Sequence, residues 1–250
     1  MKRIDKYGLV LYKQTHIEQK DKGTKVAAKF VDELFCLIAK YCTLFYKNGN
    51  AIYDFEDMPY DSTERRLDAV LLPALFKLCN SVVMTELPTN RKISKQEYSG
   101  RIDYWCIYEG YSIVIELKQG YDNPTTPKTR QNSVLKRWET MIEQLESVKE
   151  DLQEYGETTH GVIRIGLHVI LSVQDIDPTE YKPREFNEEL IEKTANRFDK
   201  HIREFIPNHK PDLIHCWKIP SRIVETCSAT YPALWCLSKI YPAIKHKRVK

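Results

Sequence analysis

Residues 99–119 read SGRIDYWCIYEGYSIVIELKQ and hold two carboxylates and a lysine whose spacing could serve one reaction. Segments 101–108 and 111–119 are rich in Ile, Val, Tyr and Trp, the composition of strands, and only Glu109-Gly110 separates them. A two-residue link with Gly in second place is a hairpin turn whose twist matches that of its strands. The turn sets the register: Tyr108 faces Tyr111, and Asp103 then lies opposite Glu116. Opposed residues hold their Cβ atoms ~5 Å apart and side chains alternate faces, so Lys118 joins Asp103 and Glu116 on one face. Two acids that close repel unless a proton or a cation lies between them. Lys118 offsets part of the repulsion, and a divalent metal offsets more. Hard oxygen ligands, few in number and leaving room for water, suit Mg2+ or Mn2+. Such an ion activates water and stabilises charge on a phosphate, while a lysine beside it orients or deprotonates the water or steadies the developing charge. The same three residues would equally make a solvated salt-bridge cluster without metal affinity.

These residues need a scaffold, and the periodicity of the chain predicts one. Residues 26–47 form a helix through Phe30, Leu34, Ile38 and Cys42, with Asn48-Gly49-Asn50 as its stop. The acid-rich segment 51–60 reads as a loop. A second helix over 63–79 carries Leu67, Val70, Leu71 and Leu75, and Pro73 inside it predicts a kink or an earlier break. A short strand at 81–87 ends at Pro88, and 89–100 reads as a polar, basic loop. After the hairpin comes a long amphipathic helix over 132–155, then the apolar strand 162–173, apolar enough to be central in a sheet. A third clear helix spans 184–205, and strand candidates fall at 212–219 and 233–240. The first twenty-five residues are polar and unassigned. Helices alternate with strands, which predicts an α/β or α+β fold with a mixed sheet flanked by helices.

Composition sets bounds. The chain has 250 residues, 42% hydrophobic and 29% charged, which is neither disordered nor fibrous. Its net charge of +3 is too small to announce a nucleic-acid partner by itself. Seven scattered cysteines, none in a Cys-x-x-Cys pair, read as reduced buried thiols. No signal-like apolar segment follows Met1 and no membrane-length apolar run occurs, so a cytoplasmic location is expected. Gly-rich phosphate loops, Gly-x-Ser-x-Gly elbows and His-Glu-x-x-His motifs are missing, which removes the sequence support for P-loop enzymes, serine hydrolases of that type and zincins.

The stretch resembles the core of the PD-(D/E)XK nuclease superfamily, the restriction-endonuclease-like fold. Asp103 matches the first acid, Glu116-Leu117-Lys118 matches the second element, and Gly100-Arg101-Ile102-Asp103 is similar to the Gly-Arg-x-Asp form of several subfamilies; Ile102 replaces the nominal Pro. The resemblance covers residues 61–173, under half the chain. It implies an αβββαβ core over 61–175 with C-terminal strand additions over 176–250, and an N-terminal helical extension over 1–60. It implies a Mg2+- or Mn2+-dependent nuclease that hydrolyses phosphodiester bonds, most readily of DNA, with Asp103, Glu116 and Lys118 catalytic and Asp103 and Glu116 as metal ligands. Glu64 matches the helical Glu that family members often add, with Asp68 as its alternative one turn later, and Glu86 is a further candidate ligand. Gln119, Gln131 or Gln144 matches the family's supporting polar residue. A homodimer and a role in restriction, repair or defence are in keeping with such nucleases.

Basic residues crowd both sides of the hairpin: Arg91, Lys92 and Arg101 before Asp103, and Lys128, Arg130 and Arg137 after Glu116. That arrangement suits a phosphate backbone. Trp105 on the acid-bearing face and Tyr104 behind it read as core. A nuclease-like fold that binds nucleic acid or protein without turnover is the alternative to an enzyme.

Overall fold

The computed structural model describes residues 1–18, 21–53, 59, 64–93, 96–124, 131–148, 160–175, 186–220 and 229–244. One mixed eight-stranded sheet runs through the described residues of the α+β chain, with the amino-terminal strand at one edge and the strand Val83–Ile93 at the other. Its strands are β1 (Lys2–Lys6), β2 (Leu9–Thr15), β3 (Val83–Ile93), β4 (Gln96–Tyr108), β5 (Tyr111–Asp122), β6 (Val162–Asp175), β7 (Leu213–Lys218) and β8 (Ala229–Ile244). The helices among the described residues are α1 (Lys22–Tyr53), α2 (Glu64–Leu78), α3 (Gln131–Ser147) and α4 (Glu188–Phe205). No helix among them is long and apolar enough to cross a membrane.

The sheet separates two apolar layers. Helices α1 and α2 bury Phe30, Leu34, Leu67 and Leu71 against Ile113, Ile115 and Leu117 on one face. Helices α3 and α4 bury Trp138, Met141, Ile191 and Phe198 against Ile170, Ile214 and Trp235 on the other. Alternation along β5 therefore sends odd positions to the α1–α2 side and even positions to the α3 side. β6 is central, parallel to β5 and antiparallel to β8. Its apolar run is explained by cover on both faces.

Several sequence expectations change. The first fifteen residues form a hairpin, β1–β2, and β2 pairs with β7, so the segment 1–60 is not purely helical. Its strands alternate too weakly for the pattern to stand out against a polar background. Helix α1 runs through Asn48-Gly49-Asn50 to Tyr53. A glycine costs about 1 kcal/mol in a helix, too little to stop one whose apolar face is packed over many turns. Helix α2 continues through Pro73. β3 passes Pro88 to Ile93 and pairs with β4 from Gln96, where a loop was expected. β3 is the edge strand, so a proline there forfeits no ladder bond on its open side. The six cysteines among the described residues are free and buried.

Candidate functional site

The β4–β5 hairpin has the register read from its turn. Tyr108 pairs with Tyr111 and the ladder continues to Tyr104–Ile115. Glu109 and Gly110 have φ of 46° and 76°, the two positive values that a type I′ turn requires. The ladder stops one residue short of Asp103 and Glu116. In place of the next backbone bond, the Asp103 carboxylate accepts a hydrogen bond from the Leu117 N–H at 2.7 Å.

The other side of Asp103 is also interrupted. β3 and β4 pair at Thr85–Tyr104 and Leu87–Ile102 but not at Glu86–Asp103, and Glu86 has a positive φ of 54°. That conformation costs a non-glycine residue about 1 kcal/mol or more. It turns Glu86 outward, where its carboxylate accepts from exposed Arg101 at 3.3 Å. The face of β4 switches here. Ile102 and Trp105 pack in one small cluster with Val114, a spacing that regular alternation does not give, while Tyr104 joins the opposite layer. Asp103 thus sits at a fork in the sheet, where the regular registers of β4 with β3 and with β5 are interrupted.

Glu116 is fully buried on the α3 side. Its Oε1 accepts from Arg91 Nη2 at 2.5 Å, and its Oε2 has no hydrogen-bond partner among the described residues. Burial, and then the charge of Asp103, push its carboxyl up to about 8, while Arg91 and Lys118 pull it back. The same influences establish that Asp103, Arg91 and Lys118 all lie within electrostatic reach of Glu116. Two acids and two cations balance when both acids are ionised. Lys118, half-buried, donates to the Leu117 carbonyl at 2.9 Å.

Arg91 departs most from its sequence expectation. It is buried at 3% exposure and so is no surface contact for a phosphate chain. Its guanidinium donates to Glu116, to the Arg101 carbonyl and, at 3.0 Å, to the Gln144 carbonyl in the last turn of α3. A Cβ at Gly100 would overlap its Nε and Cδ, so the glycine of Gly-Arg-x-Asp is what lets the arginine stem cross β4. Gln144 therefore supports the site through its backbone. This arrangement was hidden because residues 89–100 read as a loop.

His168 was also missed. It pairs with Lys118 across β5 and β6, is fully buried, and neither ring nitrogen has a hydrogen-bond partner among the described residues. Burial, then Arg137 and Lys118, hold it neutral with a pKa lowered to about 3. A histidine in the middle of the apolar run VIRIGLHVILSV was the available signal.

The remaining candidates divide. Arg101 and Arg137 are exposed, and Arg137 lies close enough to His168 to depress it, on the same side as Lys118. Lys92 lies on β3 and Glu64 begins α2, but their side chains, like Lys128 and Arg130, lie outside the described residues. Gln131 begins α3, its side chain likewise outside them. Asp68 hydrogen-bonds with the Tyr104 hydroxyl on the α1–α2 side, away from Glu116. Tyr104 is core as expected, and Trp105 is half-buried against the small cluster, its indole donating to Ser112 at 2.6 Å.

The donor set fits a small hard cation. The unpartnered Glu116 Oε2 beside Asp103 offers carboxylate oxygen, and among the described residues no third His, Cys, Asp or Glu joins them. Mg2+ is commonly held by one or two carboxylates, with water and substrate oxygens completing its octahedron.

No family model matches the chain, and no curated protein does. The crystal structure of SSO0001 is similar over 76% of this chain and 98% of its own, at 16% identity and a TM-score of 0.22. A likeness that low carries no argument about fold or function.

Proposed function

We propose that the chain is a metal-dependent nuclease of the PD-(D/E)XK kind, hydrolysing phosphodiester bonds of DNA. The observation that carries this reading is a fully buried glutamate with one oxygen unpartnered among the described residues, at a fork in the sheet and within electrostatic reach of a second carboxylate and a lysine. A stability element would be expected to satisfy both oxygens. The chain order α2-β3-β4-β5-α3-β6 supports the reading, because it repeats the αβββαβ order of the core that the motif resembles.

In this reading Asp103 and Glu116 hold Mg2+ or Mn2+. The ion, when bound, acidifies water and neutralises charge on the phosphate. The chain's own residues do the rest. Lys118 orients the attacking water or steadies charge on a non-bridging oxygen. Asp103, fixed by the Leu117 N–H, keeps its position relative to Glu116. Exposed Arg101 and Arg137 meet the phosphate chain on either side.

The test is plasmid cleavage in Mg2+ with and without EDTA. Cleavage that needs the metal and is abolished by Asp103→Ala and Lys118→Ala supports the enzyme. Tight DNA binding with no metal-dependent cleavage refutes it and leaves a binding module on a nuclease-like fold.

A further inference from the structure

We infer that Arg91 is the positioning residue of the metal site, and that Gly100 exists to admit it. The inference rests on the proposed metal dependence and goes beyond it, because Arg91 is taken out of substrate binding and given a separate task.

Three acceptors fix the guanidinium: Glu116 Oε1, the Arg101 carbonyl on β4 and the Gln144 carbonyl on α3. A planar fork held at three points cannot swing, so the carboxylate it grips is held as well. One Glu116 oxygen is thereby spent on the fork, and Oε2 is left without a partner among the described residues. A buried carboxylate gripped by one oxygen presents the other in a fixed direction, as an outer partner does for a ligand in metal sites generally. Lysine in this place would supply charge without the fork. The route of the side chain adds a second requirement. The arginine stem crosses β4 above Gly100, with Cγ, Cδ and Nε all within 2.8 Å of where a Cβ would stand. Any side chain at 100 displaces the stem and so releases Glu116, although it touches neither acid.

A competing role predicts the opposite sign. If the guanidinium merely fills the place of a cation, its removal frees Glu116 and tightens metal binding.

The experiment is titration of the full chain with Mn2+, read by loss of the free-ion electron paramagnetic resonance signal, with thermal melts in EDTA as the folding control. Arg91→Met, Arg91→Lys and Gly100→Ala are each expected to weaken Mn2+ binding 10- to 100-fold. Gly100→Ala added to Arg91→Met is expected to cost nothing more, because both act through one contact. Folded variants that bind Mn2+ as the unaltered chain does, or more tightly, overturn the inference and leave the metal reading standing. If Arg91→Met fails to fold, Arg91→Lys and Gly100→Ala decide alone. An unaltered chain that binds no Mn2+, or whose binding survives Glu116→Gln, overturns the metal reading and this inference with it.

Discussion

Two carboxylates on β5, Glu116 and Asp122, point to the same side of the sheet, are fully buried, and each meets an arginine at 2.5 Å. They differ in how they are closed. Asp122 is gripped through both oxygens by Arg197 of α4, at 2.9 and 2.5 Å. Glu116 gives one oxygen to Arg91, keeps the other unpartnered among the described residues, and has a second acid for a neighbour. Asp122 has the geometry of an element that fastens a helix to a strand. Glu116 has the geometry of a group kept available. Burial and an arginine partner do not by themselves separate structure from chemistry; the count of satisfied oxygens does.

The largest expected difference is in turnover. Lys118→Ala should lower metal-dependent DNA cleavage by about 10²–10⁴-fold. Arg197→Lys, which touches only the closed pair, should leave the Mg2+ dependence of cleavage unchanged. Equal losses in the two variants would erase the distinction between the pairs.

Stability should separate them in the reverse direction. Arg197→Met strands a buried carboxylate and should cost about 3–5 kcal/mol in urea unfolding. Arg91→Met should cost about 1–3 kcal/mol, because Glu116, already pushed up to about 8, keeps its proton and leaves no stranded charge when its partner goes. A larger cost at Arg91 than at Arg197 would contradict the comparison.

A third test uses pH. Between the ordinary value of 4.5 and about 8, folded Glu116 keeps a proton that the unfolded chain releases. More protons are bound in the folded state, so metal-free stability should fall as pH rises through that window. Glu116→Gln should flatten the fall, measured by urea midpoints at pH 5, 6.5 and 8 in EDTA. A slope unchanged by the substitution would show that Glu116 is ionised throughout.

The smallest effect concerns the frame that both pairs share. Gly110→Ala, at φ 76°, should cost about 1–2 kcal/mol without changing the metal dependence of cleavage. Lost metal binding in the folded variant would show that the turn does more than set register.

Legibility in the sequence followed the range of the interactions. The hairpin register was readable because Glu109-Gly110 is a local signal, although the ladder ends at Tyr104–Ile115, one residue short of Asp103 and Glu116. The helices carrying Leu34, Leu67, Trp138 and Phe198 were readable from their period. Arg91 was not, because its partners lie on β4, β5 and α3, and the strand that carries it includes a proline that only an edge position tolerates. Glu86 was misplaced for a related reason: its backbone leaves the regular pleat at the residue opposite Asp103, which no period records. The β1–β2 hairpin escaped notice because β1 is polar and largely exposed, which leaves β2 without a visible partner in the sequence.

The close passage of Arg91 over Gly100 also has a historical consequence. The dependence runs one way: an arginine on this route requires glycine at 100, whereas glycine at 100 does not require the arginine. Descent through folded, working ancestors therefore has a direction at these two positions. While the arginine keeps this route, position 100 is confined to glycine, and a change there has to wait until the arginine is lost. Among future relatives of this chain, glycine without arginine should occur, and arginine with a bulkier residue at 100 should not.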